Sequence, residues 1–146
     1  MRKKPGKKYI SMTESLEDRD GLLYYEGTDE LADGDFESYS KEGPLYCQYS
    51  LKNGKYDGYF IIYWSNGLVA NKCFFEDGIC NGEHFFYYPN GQVQAVDQVK
   101  NNVRHGISKQ YSEDGSLVKI LRFENGHLLT EGLEINLRLG NGGTLS

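Results

Sequence analysis

The residues of widest chemical range in this 146-residue chain are three cysteines, Cys47, Cys73 and Cys80, and three histidines, His84, His105 and His127. A metal site built locally places its ligands at short spacings such as His-x3-His, Glu-x-x-His or Cys-x-x-Cys, so that they converge on one ion. His-x3-His and Cys-x-x-Cys do not occur. A thiol nucleophile needs a base and an orienting acid at its side, and no His and acid recur in sequence beside Cys73 or Cys80. The odd cysteine count argues against a disulfide framework and for reduced thiols in a cytoplasmic protein. Glycine is abundant, yet no Gly-x-Gly-x-x-Gly opens a helix and no Lys-Ser or Lys-Thr ends a phosphate loop. The acids are numerous, but no pair stands out for acid–base work. The expectation is a chain with no catalytic residues, no metal and no cofactor, and hence not an enzyme.

The glycines have another use, which lies in the elements that carry them. Gly34, Gly58, Gly82 and Gly106 are 24 residues apart, and so are Gly43, Gly67, Gly91 and Gly115. A third series is Gly54, Gly78, Asn102 and Gly126. Tyr39, Tyr63, Tyr87 and Tyr111 keep the same period, as do Leu45, Val69, Val93, Leu117 and Leu51, Phe75, Val99, Phe123. Such self-similarity marks a tandem repeat. The fold expected is all-β, an elongated antiparallel β-meander of 24-residue hairpin units.

Each unit carries two turn signals. The first is Lys41-Glu42-Gly43, Ser65-Asn66-Gly67, Pro89-Asn90-Gly91 and Glu113-Asp114-Gly115. The second is Lys52-Asn53-Gly54, Glu76-Asp77-Gly78, Lys100-Asn101-Asn102 and Glu124-Asn125-Gly126. Asn-Gly between apolar runs fits either a two-residue type I′ turn or a three-residue loop with a type I turn and a glycine bulge. Pro89 favours the longer loop, where it takes the first corner of a type I turn. Asn102 fits the left-handed conformation that Gly holds elsewhere in its column. Three-residue loops at both turns would pair Tyr63 with Val69, Tyr87 with Val93 and Phe75 with Ile79. The Tyr column and both apolar columns would then share one face.

The units span about 34–57, 58–81, 82–105 and 106–131, within one domain covering 21–139. A degenerate unit is expected over 21–36, with a turn at Asp20-Gly21 and a strand at Leu22–Tyr25. A closing strand is expected over 132–138, and a flexible terminus over 140–146. Residues 1–20 are read as a basic tail with one or two helical turns between 11 and 20. No apolar h-region follows Arg2, Lys3, Lys4, Lys7 and Lys8, so no secretory signal is expected. No apolar run reaches the ~18 residues of a membrane helix.

Net charge is −5 and unevenly spread. Residues 14–42 hold eleven acids against Arg19 and Lys41. The only basic cluster is the first eight residues, which is not the basic face of a nucleic-acid binder. No nucleic-acid partner is expected.

The unit Phe75-x-x-Gly78-x-x-x-Gly82-x-x-x-x-Tyr87-x-x-x-Gly91 resembles the MORN repeat in its bacterial variant form, over residues 34–132. It departs from the eukaryotic pattern where Phe60, His84 and Ser108 replace the second Gly of a Gly-x-Gly step. The bacterial variant is similar to YwqK-type antitoxins. The resemblance implies an antitoxin or immunity protein that neutralises a cognate toxin by binding it.

Two surfaces are candidates for that binding. Strand 59–64 directs Phe60, Ile62 and Trp64 to the face opposite Tyr63, strand 83–88 directs His84, Phe86 and Tyr88 the same way, and Phe74 lies on the strand between. The outer units carry Ser38, Ser40, Ser108, Gln110 and Ser112 at these positions. Either residues 1–20 cover this strip or the sheet twists to bury it, or it is a partner site, or it forms a homodimer. The second surface is acidic: Asp29, Glu30, Asp33, Asp35 and Glu37. It is either a solvated edge or a dock for a toxin with a basic surface. The alternative function is a non-catalytic scaffold, or a peripheral protein held to a membrane by its basic tail.

Overall fold

The architecture was taken from a computed structural model, which describes residues 15–41 and 43–129, and the backbone of 7–10, 137–138 and 144–145. Its strands in chain order are β1 (Lys7–Ile10), β2 (Leu16–Arg19), β3 (Leu22–Tyr25), β4 (Gly34–Tyr39), β5 (Leu45–Lys52), β6 (Lys55–Tyr56), β7 (Gly58–Tyr63), β8 (Val69–Glu76) and β9 (Ile79–Cys80). They continue as β10 (Gly82–Tyr87), β11 (Val93–Lys100), β12 (Val103–Arg104), β13 (Gly106–Tyr111), β14 (Leu117–Glu124), β15 (His127–Leu128), β16 (Leu137–Arg138) and β17 (Thr144–Leu145). The protein is all-β among its described residues. One open sheet runs β1-β4-β5-β7-β8-β10-β11-β13-β14-β15, with β6, β9 and β12 paired beside β5, β8 and β11. Its neighbours are antiparallel except β1, which joins β4 in parallel.

Four copies of the unit are superposable in sequence register. Each has a strand of six residues, a loop, a strand of eight, a tight turn and a strand of two. The first loop is the three-residue type. Trp64 N–H donates to Leu68 O and Gly67 N–H to Trp64 O, at 2.7 and 2.9 Å, and Gly67 has φ of 91°. The same bonds recur between Tyr88 and Gln92 and between Gly91 and Tyr88, which puts Pro89 at the first corner of the type I turn. The corresponding bonds around Ser40 enclose Glu42, which lies outside the described residues.

The second turn differs from the expectation. Phe75 pairs with Cys80, not Ile79, and Glu76 pairs with Ile79. Two residues remain in the turn, Asp77 at φ 52° and Gly78 at 83°. This is a type I′ turn, whose twist matches that of the strands it joins. Asn53-Gly54, Asn101-Asn102 and Asn125-Gly126 repeat it, and so does Asp20-Gly21 between β2 and β3. Asn102 does hold the left-handed conformation, at φ 74°.

A second correction concerns the faces. Tyr63 pairs with Val69 as expected, but Ile62 pairs with Asn71, so one extra residue, Ala70, bulges from β8. Tyr46, Gln94 and Val118 occupy the same place in the other units. A bulge shifts the alternation by one. Beyond it, Phe75 stands opposite Gly58 and Cys73 opposite Phe60. The column of Leu51, Phe75, Val99 and Phe123 therefore shares a face with Phe60 and Ile62, and the Tyr column takes the other. We call the first the front face and the second the back face.

The N-terminal segment packs on the front face. The expected helical turns do not form over 16–19, where Leu16–Arg19 is a strand; residues 11–14 lie outside the described ones. The type I′ turn at Asp20-Gly21 folds β2 onto β3, and Leu16 and Leu23 pack with Tyr25 and Ala32 against Phe36, Leu51, Tyr49 and Tyr56. Leu23 N–H donates to Gly54 O at 2.9 Å and Ala32 N–H to Leu23 O at 2.9 Å, joining hairpin and sheet. Phe36 is 1% exposed at this centre, and its ring stacks on Tyr49, which stacks on Phe60. The closing strand expected over 132–138 falls largely outside the described residues; Leu137–Arg138 pairs with β17.

Candidate functional site

Beyond the hairpin's reach, the front face continues with Phe60, Ile62, Trp64, Phe86 and Tyr88, all half-buried. Among the described residues the hairpin core includes none of Ile62, Trp64, Phe86 and Tyr88. A groove of about 500 Å³ adjoins the strip, lined by Phe86, Tyr88, Ala95, Gln94, Gln110 and Ser112 among others. Aromatic walls with amide and hydroxyl edges suit a peptide segment, because they cover apolar side chains while answering backbone polar groups.

The strip's polar atoms are already engaged. Trp64 Nε1 donates to Tyr87 O at 3.2 Å, and Tyr88 Oη donates to Tyr111 O at 2.8 Å. Each ring thus reaches over the strand end of the next unit. Asn66 Nδ2 donates to Pro89 O and Asn90 Nδ2 to Glu113 O, at 2.9 and 3.2 Å, tying the same loops together at the rim. The two aromatics therefore hold unit to unit while presenting ring surface. Phe74 is not part of this strip. The bulge puts it on the back face, 43% exposed, edge-on to Tyr59 at 5.0 Å.

The five acids are divided among different roles. Asp29 and Glu30 are exposed, and Asp29 bridges Arg19 at 3.0 Å. Asp33 Oδ1 accepts from Asn53 N–H at 3.1 Å, and Asp35 Oδ1 accepts from Ser50 Oγ at 2.6 Å. Glu37 is 5% exposed and accepts from Tyr39 Oη at 2.8 Å and Gln48 Nε2 at 2.7 Å. Tyr63 in turn donates to Gln48 Oε1. Glu37 thus serves a hydrogen-bond network inside the back face, while Asp29, Glu30, Asp33 and Asp35 are exposed.

One arrangement escaped the linear sequence. His84 stands directly opposite Asp97, Cys73 lies on the same face of β8, and Asp97 accepts a hydrogen bond from Ser108 on β13. Cys, His, acid and hydroxyl thus follow one another across four neighbouring strands. The signal was the period itself, since 60, 84 and 108 are one column and 73 and 97 another. Burial decides the chemistry. It pushes the Cys73 thiol up to about 12, with the neighbouring Cys80 adding to the effect, and it pushes Cys80 and Cys47 up as well. It lowers His84, against an opposing pull from Asp97. A thiol held protonated is a poor nucleophile. His84 Nε2 is buried with no hydrogen-bond partner among the described residues. No group of three or more His, Cys, Asp or Glu among the described residues is arranged to hold a metal ion.

The fold and its front face define a tandem-repeat β-sheet protein built on one long open sheet. The family model of the MORN repeat variant matches residues 81–101 and 104–125, the third and fourth units. Units one and two share their strand lengths, bulge and turns. No curated protein matches the chain. No helix among the described residues is long and apolar enough to cross a membrane.

Proposed function

We propose that this chain is a non-catalytic protein-binding repeat protein and, more narrowly, a cytoplasmic antitoxin or immunity protein that holds a cognate toxin on its front face. The observation that carries this reading is the strip of Ile62, Trp64, Phe86 and Tyr88 running into the groove edged by Gln94, Gln110 and Ser112. A surface of rigid rings with fixed hydrogen-bonding edges loses little side-chain entropy on binding. The resemblance to bacterial variant repeats supports the narrower reading. So does the acid excess in the N-terminal third, which would speed encounter with a basic toxin.

The test is a tagged pull-down from the native host, repeated with a Gln94→Lys, Gln110→Glu variant whose β circular dichroism is unchanged. One small stoichiometric partner, toxic alone, harmless with this chain and lost from the variant, is the expected result. A stoichiometric partner retained equally by the variant would remove the groove from the proposal. Capture of no partner, or of a broad set of envelope proteins, would overturn the antitoxin reading.

A further inference from the structure

Two columns of the repeat meet on the front face. One is Tyr49, Cys73, Asp97 and Leu121, and the other is Tyr56, Cys80, Arg104 and Leu128. In every unit the second column pairs with the residue two places beyond the first: Tyr56 with Leu51, Cys80 with Phe75, Arg104 with Val99 and Leu128 with Phe123. The columns are therefore diagonal neighbours on one face. In the first unit they touch ring to ring, Tyr49 and Tyr56 lying 5.6 Å apart between centroids. The residue types are matched within each unit: Tyr with Tyr, Cys with Cys, Asp with Arg, Leu with Leu. The second unit thus fills two touching positions with thiols. Cys73 and Cys80 are free, 7% and 5% exposed, and hydrogen-bonded to each other. Asn102 holds Cys80 in place. Cys80 N–H donates to Asn102 Oδ1 at 2.8 Å, and Asn102 N–H donates to Cys80 O at 3.0 Å. Asn102 stands where the other three units have Gly54, Gly78 and Gly126, so this anchor belongs to the cysteine pair alone.

We propose that Cys73 and Cys80 are a redox pair that closes to a disulfide by exchange with a low-molecular-weight disulfide such as oxidised glutathione. One protein thiolate attacks the reagent's S–S bond and expels a glutathione thiolate, leaving a mixed disulfide. The second protein thiolate attacks the protein sulfur of that mixed disulfide and expels the other glutathione. Two protein thiols are oxidised, one reagent disulfide is reduced to two thiols, and the two protons pass to the departing sulfurs. Cys80 is the first attacker, because its sulfur accepts hydrogen bonds from Cys73 and from the Phe74 backbone N–H, which stabilise a thiolate. Cys47 stays outside the pair: its strand partners are Ser38 and Ile62. Burial keeps both thiols protonated and covered, so exchange waits on opening of the structure, and the closed bond is reduced as slowly as it forms. The bond closes a loop of eight residues, Cys73 to Cys80, around the turn at Asp77-Gly78. Cys73 stands opposite Phe60, so the bond fixes the front face where the hairpin core passes into the aromatic strip.

The full chain, equilibrated in buffers of graded reduced and oxidised glutathione, then quenched in acid, alkylated and mapped by mass spectrometry, tests this. A second series in concentrated urea gives the same equilibrium for the unfolded chain, where a short loop alone favours the bond. The expected product in native buffer is a Cys73–Cys80 bond with Cys47 alkylated. Its midpoint should lie at a ratio of squared reduced to oxidised glutathione about tenfold or more above that in urea, because the fold holds the two sulfurs together. A third series below the unfolding midpoint in urea speeds opening, so that slow exchange is not mistaken for a missing bond. A chain that stays reduced there in oxidised glutathione overturns the proposal. So do glutathione adducts in place of the internal bond, a bond that includes Cys47, or a native midpoint no more reducing than the unfolded one. Cys47→Ser should oxidise as the wild type does, and failure of that variant to form the bond also overturns it. None of these results depends on whether the front face captures a toxin.

Discussion

Trp64 donates its indole N–H to the backbone carbonyl of Tyr87, 23 residues on, and in the next unit Tyr88 makes the equivalent bond to Tyr111. In a repeat sheet each unit contacts only its neighbours, so stability is a sum of unit terms and interface terms. These bonds belong to the interface terms. Tyr88→Phe keeps the ring and removes only the hydroxyl. It should lower stability by about 0.5–1.5 kcal/mol, the usual net contribution of one hydrogen bond. Urea unfolding at fixed m-value measures it. Trp64→Phe loses ring volume as well and should cost more.

The turn glycines divide by their surroundings. A Cβ on Gly67 would meet nothing within 4 Å, whereas one on Gly54 would meet Leu31 Cδ2 at 2.7 Å and Leu23 O at 3.0 Å. Both residues have positive φ. Gly67→Ala should therefore cost the left-handed strain alone, roughly 1–2 kcal/mol. Gly54→Ala should cost more and loosen the β2–β3 hairpin. Thermal melts rank the two, and equal losses would mean that the hairpin does not rest on this turn.

Burial separates two phenylalanines that composition treats alike. Phe36, at 1% exposure, should lose about 3–5 kcal/mol on truncation to Ala. Phe74, at 43%, should lose under about 1 kcal/mol. The three thiols share the protected environment. In native buffer Cys47, Cys73 and Cys80 should react with a thiol reagent only at the rate of unfolding, and all at once in denaturant.

His84 gives the fold a defined response to acid. Burial lowers its pKa in the folded chain, so the unfolded chain binds the extra proton first as pH falls through about 6.5. Its contribution is complete above that pH and declines below it. Asp97, directly opposite, works against the decline. The urea midpoint should therefore fall between pH 7.5 and 5.5, and His84→Gln should flatten that slope. A slope unchanged in the variant would assign the acid sensitivity to other groups.

Much of this architecture was legible in the order of residues. The glycine and tyrosine columns mark the four units. Pro89 and Asn102 report their own backbone conformations, because a ring-locked φ and a tolerated left-handed φ are properties of single residues. The hairpin at Asp20-Gly21 was visible as a turn and a strand. Its partner strand, Leu16–Arg19, has too few residues for a strand period to declare itself against a helical one.

The face of each side chain was decided elsewhere. The bulge at Ala70 inverts the alternation between Val69 and Phe75, and its equivalents are Tyr46, Gln94 and Val118. Four such different side chains share no chemical signal. The extra residue comes from how the type I loop and the ladder of hydrogen bonds must meet, a property of two strands together. The same pairing sends Phe74 to the back, buries Glu37, and lines Cys73, His84, Asp97 and Ser108 into one row. Sequence alone determined the repeat, the places of its turns and the strand order they enforce. Only the tertiary structure decided which residues meet, because a one-residue slip in pairing costs little locally and moves every side chain beyond it to the opposite face.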